Sequence, residues 1–68
     1  MKLEKGEYEI LTFDHEGYTL TSTITDTYKQ AKTRAEQYLT DPEFNHAHKI
    51  EIRNHKQEIL QDYFYPEP

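Results

Sequence analysis

Residues 18–25, Tyr-Thr-Leu-Thr-Ser-Thr-Ile-Thr, alternate along the chain: Tyr18, Leu20 and Ile24 fall on one side, and Thr19, Thr21, Thr23 and Thr25 on the other. A period of two with a polar β-branched outer face predicts a half-buried strand. Residues 7–14, Glu-Tyr-Glu-Ile-Leu-Thr-Phe-Asp, carry the β-branched and aromatic content of a strand before it. Between them Asp14 suits the first position of a type I turn, and Gly17 suits the left-handed position that follows. A three-residue loop closed by Asp14 and Tyr18 then sets Thr12 opposite Leu20, Ile10 opposite Ser22 and Tyr8 opposite Ile24.

The spacing changes after residue 25. Tyr28, Ala31, Ala35, Tyr38 and Leu39 recur on one helical face, while Lys29, Lys32, Thr33 and Glu36 lie mostly off it. Asp26 or Thr27 caps this helix, with Thr27-Tyr28-Lys29-Gln30 as a capping box. Asp41-Pro42 ends it, because the residue before proline is biased away from helix. Asp41 and Pro42 also fit the cap and first position of a short extra turn. Alternation then returns: His48, Ile50 and Ile52 against Lys49, Glu51 and Arg53. Residues 58–65 form the last strand, across the polar connection Asn54-His55-Lys56-Gln57. Pairing of Arg53 with Glu58 sets Ile52 beside Ile59, and Pro66 and Pro68 end the sheet.

The order is β-β-α-β-β, an α+β domain: a mostly antiparallel four-stranded sheet with one helix on one face. No repeat or linker interrupts it, and 68 residues make one domain, with a core over about 7–65. This order and the hairpin-helix-hairpin spacing over residues 7–65 resemble small ββαββ proteins encoded by phages and bacterial accessory genes. The resemblance implies a compact accessory or inhibitory binding protein and carries over no functional residues.

Size and charge narrow the role. A core this small supplies only about 3–5 kcal/mol, so a partner or self-association is a natural supplement. No cysteine is present, which removes disulfides and thiolate metal sites. Thirteen acidic residues against eight basic give a formal charge of −5, the wrong sign for a nucleic-acid binder and suited to a basic partner surface. There is no apolar run of membrane-spanning length and no apolar stretch near Met1 of the signal-peptide kind, so the cytoplasm (the host's, for a phage-encoded chain) is the expected compartment.

Catalytic groups are missing. Ser22 is the only serine and sits inside a strand without a glycine-flanked elbow. Gly6 and Gly17 are the only glycines, so no phosphate-cradling loop exists. A single sheet with one helix has little room for a cleft to hold paired carboxylates. No enzyme activity and no cofactor are expected. His46 and His48 share a strand face and would bind a metal only with a third ligand from Asp41 or Glu43, at a spacing that matches no established zinc pattern.

One feature does not suit a monomer. The covered sheet face takes Tyr8, Ile10, Leu20, Ile24, Ile50, Ile52, Ile59 and Tyr63. Period two then turns Leu11, Phe13, Leu60 and Phe64 to the opposite face, unless a bulge intervenes or Tyr65-Pro66 folds over them. Four large apolar side chains on the uncovered face predict a protein interface. The expected function is an acidic protein-binding module without turnover, of the phage or accessory type. It would modulate or inhibit a host protein, for instance by blocking a nucleic-acid-binding surface. A structural homodimer is the alternative, and a histidine-dependent metal-binding protein the third reading.

Overall fold

A computed structural model describes residues 3–44 and 47–65. Two loops of the same build organise it. In the first, Asp14 Oδ1 accepts the N–H groups of Glu16 and Tyr18, each at 2.9 Å. Gly17, at φ +90°, donates its own N–H to the Asp14 carbonyl at 3.1 Å. In the second, Asn54 Oδ1 accepts from Lys56 at 2.9 Å and Glu58 at 3.0 Å. Gln57, at φ 65°, takes the place of the glycine and donates to the Asn54 carbonyl at 2.9 Å. A short side chain that satisfies its own loop backbone is why Asp and Asn start such turns.

Each loop is followed by a bulge. β1 (Tyr8–Phe13) pairs antiparallel with β2 (Thr19–Thr25), and β3 (Lys49–Arg53) with β4 (Ile59–Phe64). Phe13 opposes Thr19 but Thr12 opposes Thr21, so Leu20 is the extra residue. Arg53 opposes Ile59 but Ile52 opposes Gln61, so Leu60 is extra in the second hairpin. The hairpins thus repeat one plan forty residues apart, with Ile10/Ile50, His15/His55 and Leu20/Leu60 as the identical positions. This is a repeat of geometry that the residue types conceal.

The bulges correct the expected register. Asp14 and Tyr18 do close the first loop, through a 3.0 Å bond from the Asp14 N–H to the Tyr18 carbonyl. Beyond Leu20 every pair moves by one: Tyr8 faces Thr25, Ile10 faces Thr23 and Thr12 faces Thr21. A one-residue slip exchanges the faces of a strand. Thr21, Thr23 and Thr25 therefore share the helix side, and Leu20, Ile24 and Ile59, expected in the core, are exposed. Likewise Ile52 stands beside Gln61 and not Ile59.

The strands run in the order β2-β1-β3-β4, all antiparallel, and α1 (Tyr28–Thr40) crosses one face, giving an α+β ββαββ fold. The helix starts where Thr27 Oγ1 accepts the Gln30 N–H at 3.1 Å, while Gln30 reaches back to the Asp26 N–H at 3.3 Å. Asp41 ends it, and its carboxylate accepts the Glu43 N–H at 3.0 Å to open the 3-10 turn Pro42–Phe44. Ala31 and Ala35 are the helix residues fully buried against Ile10, Ile50 and Ile52; their small size lets the backbone sit close to the sheet. Tyr8, Tyr28, Tyr38, Leu39, Tyr63 and Tyr65 ring this centre. Among the described residues no helix is long and apolar enough to cross a membrane. The sheet stop assigned to Pro66 and Pro68 lies outside the described residues.

Two polar contacts hold the periphery. Thr12 is fully buried, and its Oγ1 accepts the Thr21 N–H at 3.1 Å and meets Thr21 Oγ1 at 2.7 Å. The side chain thus serves a backbone group beside the bulge. Thr12→Val keeps the shape and removes both bonds, so a loss of about 1–3 kcal/mol is expected in denaturant unfolding. Tyr65 extends the β3–β4 ladder through its N–H to the His48 carbonyl, and its phenol donates to the Tyr38 carbonyl at 3.0 Å near the end of α1. Burial, with the nearby charge of Asp41 and the Tyr38 phenol, pushes the Tyr65 hydroxyl up to about 12 from 10.0. The neutral phenol is favoured in the folded state, so its contribution is complete below pH 10 and disappears as pH rises towards 12. Tyr65→Phe should flatten that alkaline limb of a stability-versus-pH curve and cost about 1 kcal/mol at neutral pH.

Candidate interaction surface on the helix-free face

Residues directly opposed in an antiparallel sheet share a face, so the register builds the uncovered side in three rows. Thr19, Phe13, Lys49 and Phe64 form the first. Ser22, Leu11, Glu51 and Asp62 form the second, and Ile24, Glu9, Arg53 and Ile59 the third. The middle of this face is charged. Glu51, 4% exposed, receives Lys49 Nζ at 2.7 Å and Arg53 Nη2 at 2.6 Å, with Arg53 Nε at 2.9 Å. Sequence alternation made this row: Lys49, Glu51 and Arg53 sit two residues apart on one strand and so meet on one face.

Both cations also lie against aromatic rings. Lys49 Nζ is 5.6 Å from the Phe13 ring centre and 5.9 Å from that of Phe64, and the Arg53 guanidinium is 5.9 Å from Phe13. These distances fit cation–π attraction. Burial pushes the Glu51 carboxyl up, but hydrogen bonds from Lys49 and Arg53, and their charges, outweigh it and hold the group below its ordinary 4.5. At the edge of the face a hollow of about 270 Å³ opens between Phe13, Asp14, His15, His48, Lys49 and Phe64. The His15 and His48 rings are 4.7 Å apart, and His48 meets Phe64 edge-on at 5.9 Å.

The four residues expected at an interface are not brought into one patch. Phe13 is half-buried beneath the two cations, and Phe64 is 61% exposed on β4. β3 runs between their strands, so Lys49 separates the rings. Leu60 leaves the row: as the extra residue of the bulge it opposes Ile52 together with Gln61, and it lines a hollow with Tyr8, Asn54 and His55. Leu11 holds its place on this face but is only 7% exposed.

The chain before β1 turns back on itself. The Glu7 N–H bonds the Glu4 carbonyl at 3.0 Å, reversing the backbone around Gly6 at φ +94°. Leu3 is buried and stands outside the helix-side cluster. Tyr65, expected as a cover for this face, packs against the helix-side core.

His46 lies outside the described residues, and among the described residues no three His, Cys, Asp or Glu side chains gather as a metal site. Sequence reasoning missed Lys49, Glu51 and Arg53 as the centre of this face, though their alternating charges at period two were the available signal. It missed Ile24 and Ile59 because the bulges that expose them leave no mark in the alternation. No family model, curated protein or solved structure matches the chain.

The Glu51 bridge yields a test. Its carboxylate is favoured in the folded state, so its contribution is present above about pH 4.5 and is lost as pH falls through the lowered folded value. Glu51→Gln leaves two neighbouring cations without their shared anion and should cost about 1–3 kcal/mol at pH 7. Once the pH falls below the lowered folded value, the variant and the parent should converge when unfolding is followed by circular dichroism.

Proposed function

We propose that this protein is a non-catalytic protein-binding module that docks through the helix-free face, a small phage- or accessory-type modulator of a host protein. The observation that carries this reading is Phe64. It is a large aromatic side chain, 61% exposed, standing beside a cation that Glu51 already holds in place. Exposed aromatic and Arg side chains are the residue types that concentrate binding energy. Pinned cations lose little rotamer freedom when a partner arrives. Ile59, 53% exposed, and Ile24, 36% exposed, extend the apolar contact at the two edges.

The charges suggest the partner's character. Glu9 and Asp62 flank the Lys49–Glu51–Arg53 row, and the whole chain carries −5. A target with an apolar pocket for Phe64 and basic groups around it fits this face, and a nucleic-acid-binding surface of a host protein is one such target. Opposite charge would speed encounter and select against acidic surfaces.

The test compares variants that share a fold. Phe64→Ser with Ile59→Ser should leave the melting temperature near that of the parent and weaken capture of a host protein about thirtyfold or more, the loss of one hot spot. Lys32→Ser, on the exposed side of α1, should leave capture unchanged. Recovery of the same proteins by all three chains at physiological salt would remove this reading.

A further inference from the structure

We infer that the protein self-associates by pairing β2 with β2 of a second copy, antiparallel about a two-fold axis through Ser22. Edge strands expose unpaired N–H and C=O groups, and proteins normally protect them with charges, proline or bulges. β2 is an edge strand, and of the four strands it alone has no charged residue. Its one irregularity, the bulge at Leu20, lies at the loop end and leaves Thr21–Thr25 in regular register with β1. Thr19, Leu20, Ser22 and Ile24 are all exposed along it.

The residue order selects the occupant. Thr-Leu-Thr-Ser-Thr-Ile-Thr reads alike in both directions from Ser22: Thr21 matches Thr23, Leu20 matches Ile24 and Thr19 matches Thr25. A two-fold axis sets each residue opposite the one equally far on the other side of Ser22 in the second copy, so this order pairs threonine with threonine and Leu20 with Ile24. Pairing about Ser22 sets Thr21 opposite Thr23 of the second copy, and Thr–Thr pairs across strands are favourable. No charged side chain of β2 meets another; Glu9 of the neighbouring strand accepts from the Ser22 hydroxyl at 2.6 Å on each copy. β4, the other edge, carries Asp62 within its strand, and self-pairing there would bring carboxylates together.

The helix does not obstruct this contact. α1 rests on Ile10, Ile50 and Ile52 of the central strands, and the axis through Ser22 leaves both helices on one side of an eight-stranded sheet. Centred on β1, the two helices would stand roughly three strand spacings, about 14 Å, apart, beyond the roughly 8–10 Å of packed helices.

The experiment uses the whole chain, which has no cysteine of its own. Sedimentation equilibrium from about 1 μM to about 1 mM should show the mass rising from 8.2 kDa towards twice that value. Ser22→Glu adds a carboxylate beside Glu9 on each copy and should weaken association at least about tenfold, while Phe64→Ser leaves it unchanged. That contrast separates self-association from the proposed docking face. Ser22→Cys should form a disulfide-linked dimer under mild oxidation, because opposed antiparallel residues fall within disulfide reach. Asp62→Cys, on the other edge, should not. A constant 8.2 kDa mass at every concentration, or equal crosslinking of the two cysteine variants, overturns the inference.

Discussion

A single helix must cover a sheet of four strands, and it is too narrow to do so. A helix with its side chains is about 10–12 Å across, and strands lie about 4.8 Å apart, so one helix shields roughly two strands. Here it sits over β1 with β2 and β3 to either side, and the fully buried centre is Ile10, Ile50 and Ile52 beneath Ala31 and Ala35. The tyrosines belong to the boundary of this shelter. Tyr38 shows how: its ring stacks on Phe44 at 4.3 Å and its hydroxyl reaches Thr23 at 3.1 Å. An amphipathic side chain of this kind joins a small dry centre to a wet edge.

The same limit accounts for the threonines of β2. A strand at the rim of the helix's shadow is half wet on its inner side, and Thr21, Thr23 and Thr25 satisfy that condition with hydroxyls that find partners in Thr12, Tyr38 and the Thr27 carbonyl. Among the described residues no buried side-chain polar atom is left without a partner. On the other side of the sheet there is no helix, and the chain uses other means. Glu51 draws Lys49 and Arg53 inward over the Phe13 ring. Long cationic side chains shield apolar surface while their heads remain wet. That shielding stops at β4, where Phe64 and Ile59 are left open.

Much of the fold could be read along the chain. Asp14 and Gly17 announced the first loop, Thr27 and Gln30 the helix start, Asp41-Pro42 its end and the extra turn, and the Ile10, Ile50 and Ile52 positions the core. Each of these is a local matter: a side chain serving a backbone within four residues, or a period that depends only on strand geometry. The candidate site was partly legible for the same reason, since period two alone put Leu11, Phe13 and Phe64 on the uncovered face.

What the tertiary structure decided is everything that depends on which strand lies beside which. The β1–β3 pairing inserts a charged row between Phe13 and Phe64, and no local pattern states that neighbour. The bulges at Leu20 and Leu60 move each outer strand by one residue, and alternation looks the same on either side of such a slip. Leu11 and Phe64 share the helix-free face by period two, yet Leu11 is buried and Phe64 open, a difference that alternation does not state. Local chemistry determined the elements and their ends. Long-range pairing determined which of their surfaces remain open, because exposure belongs to the assembled sheet and not to any one strand.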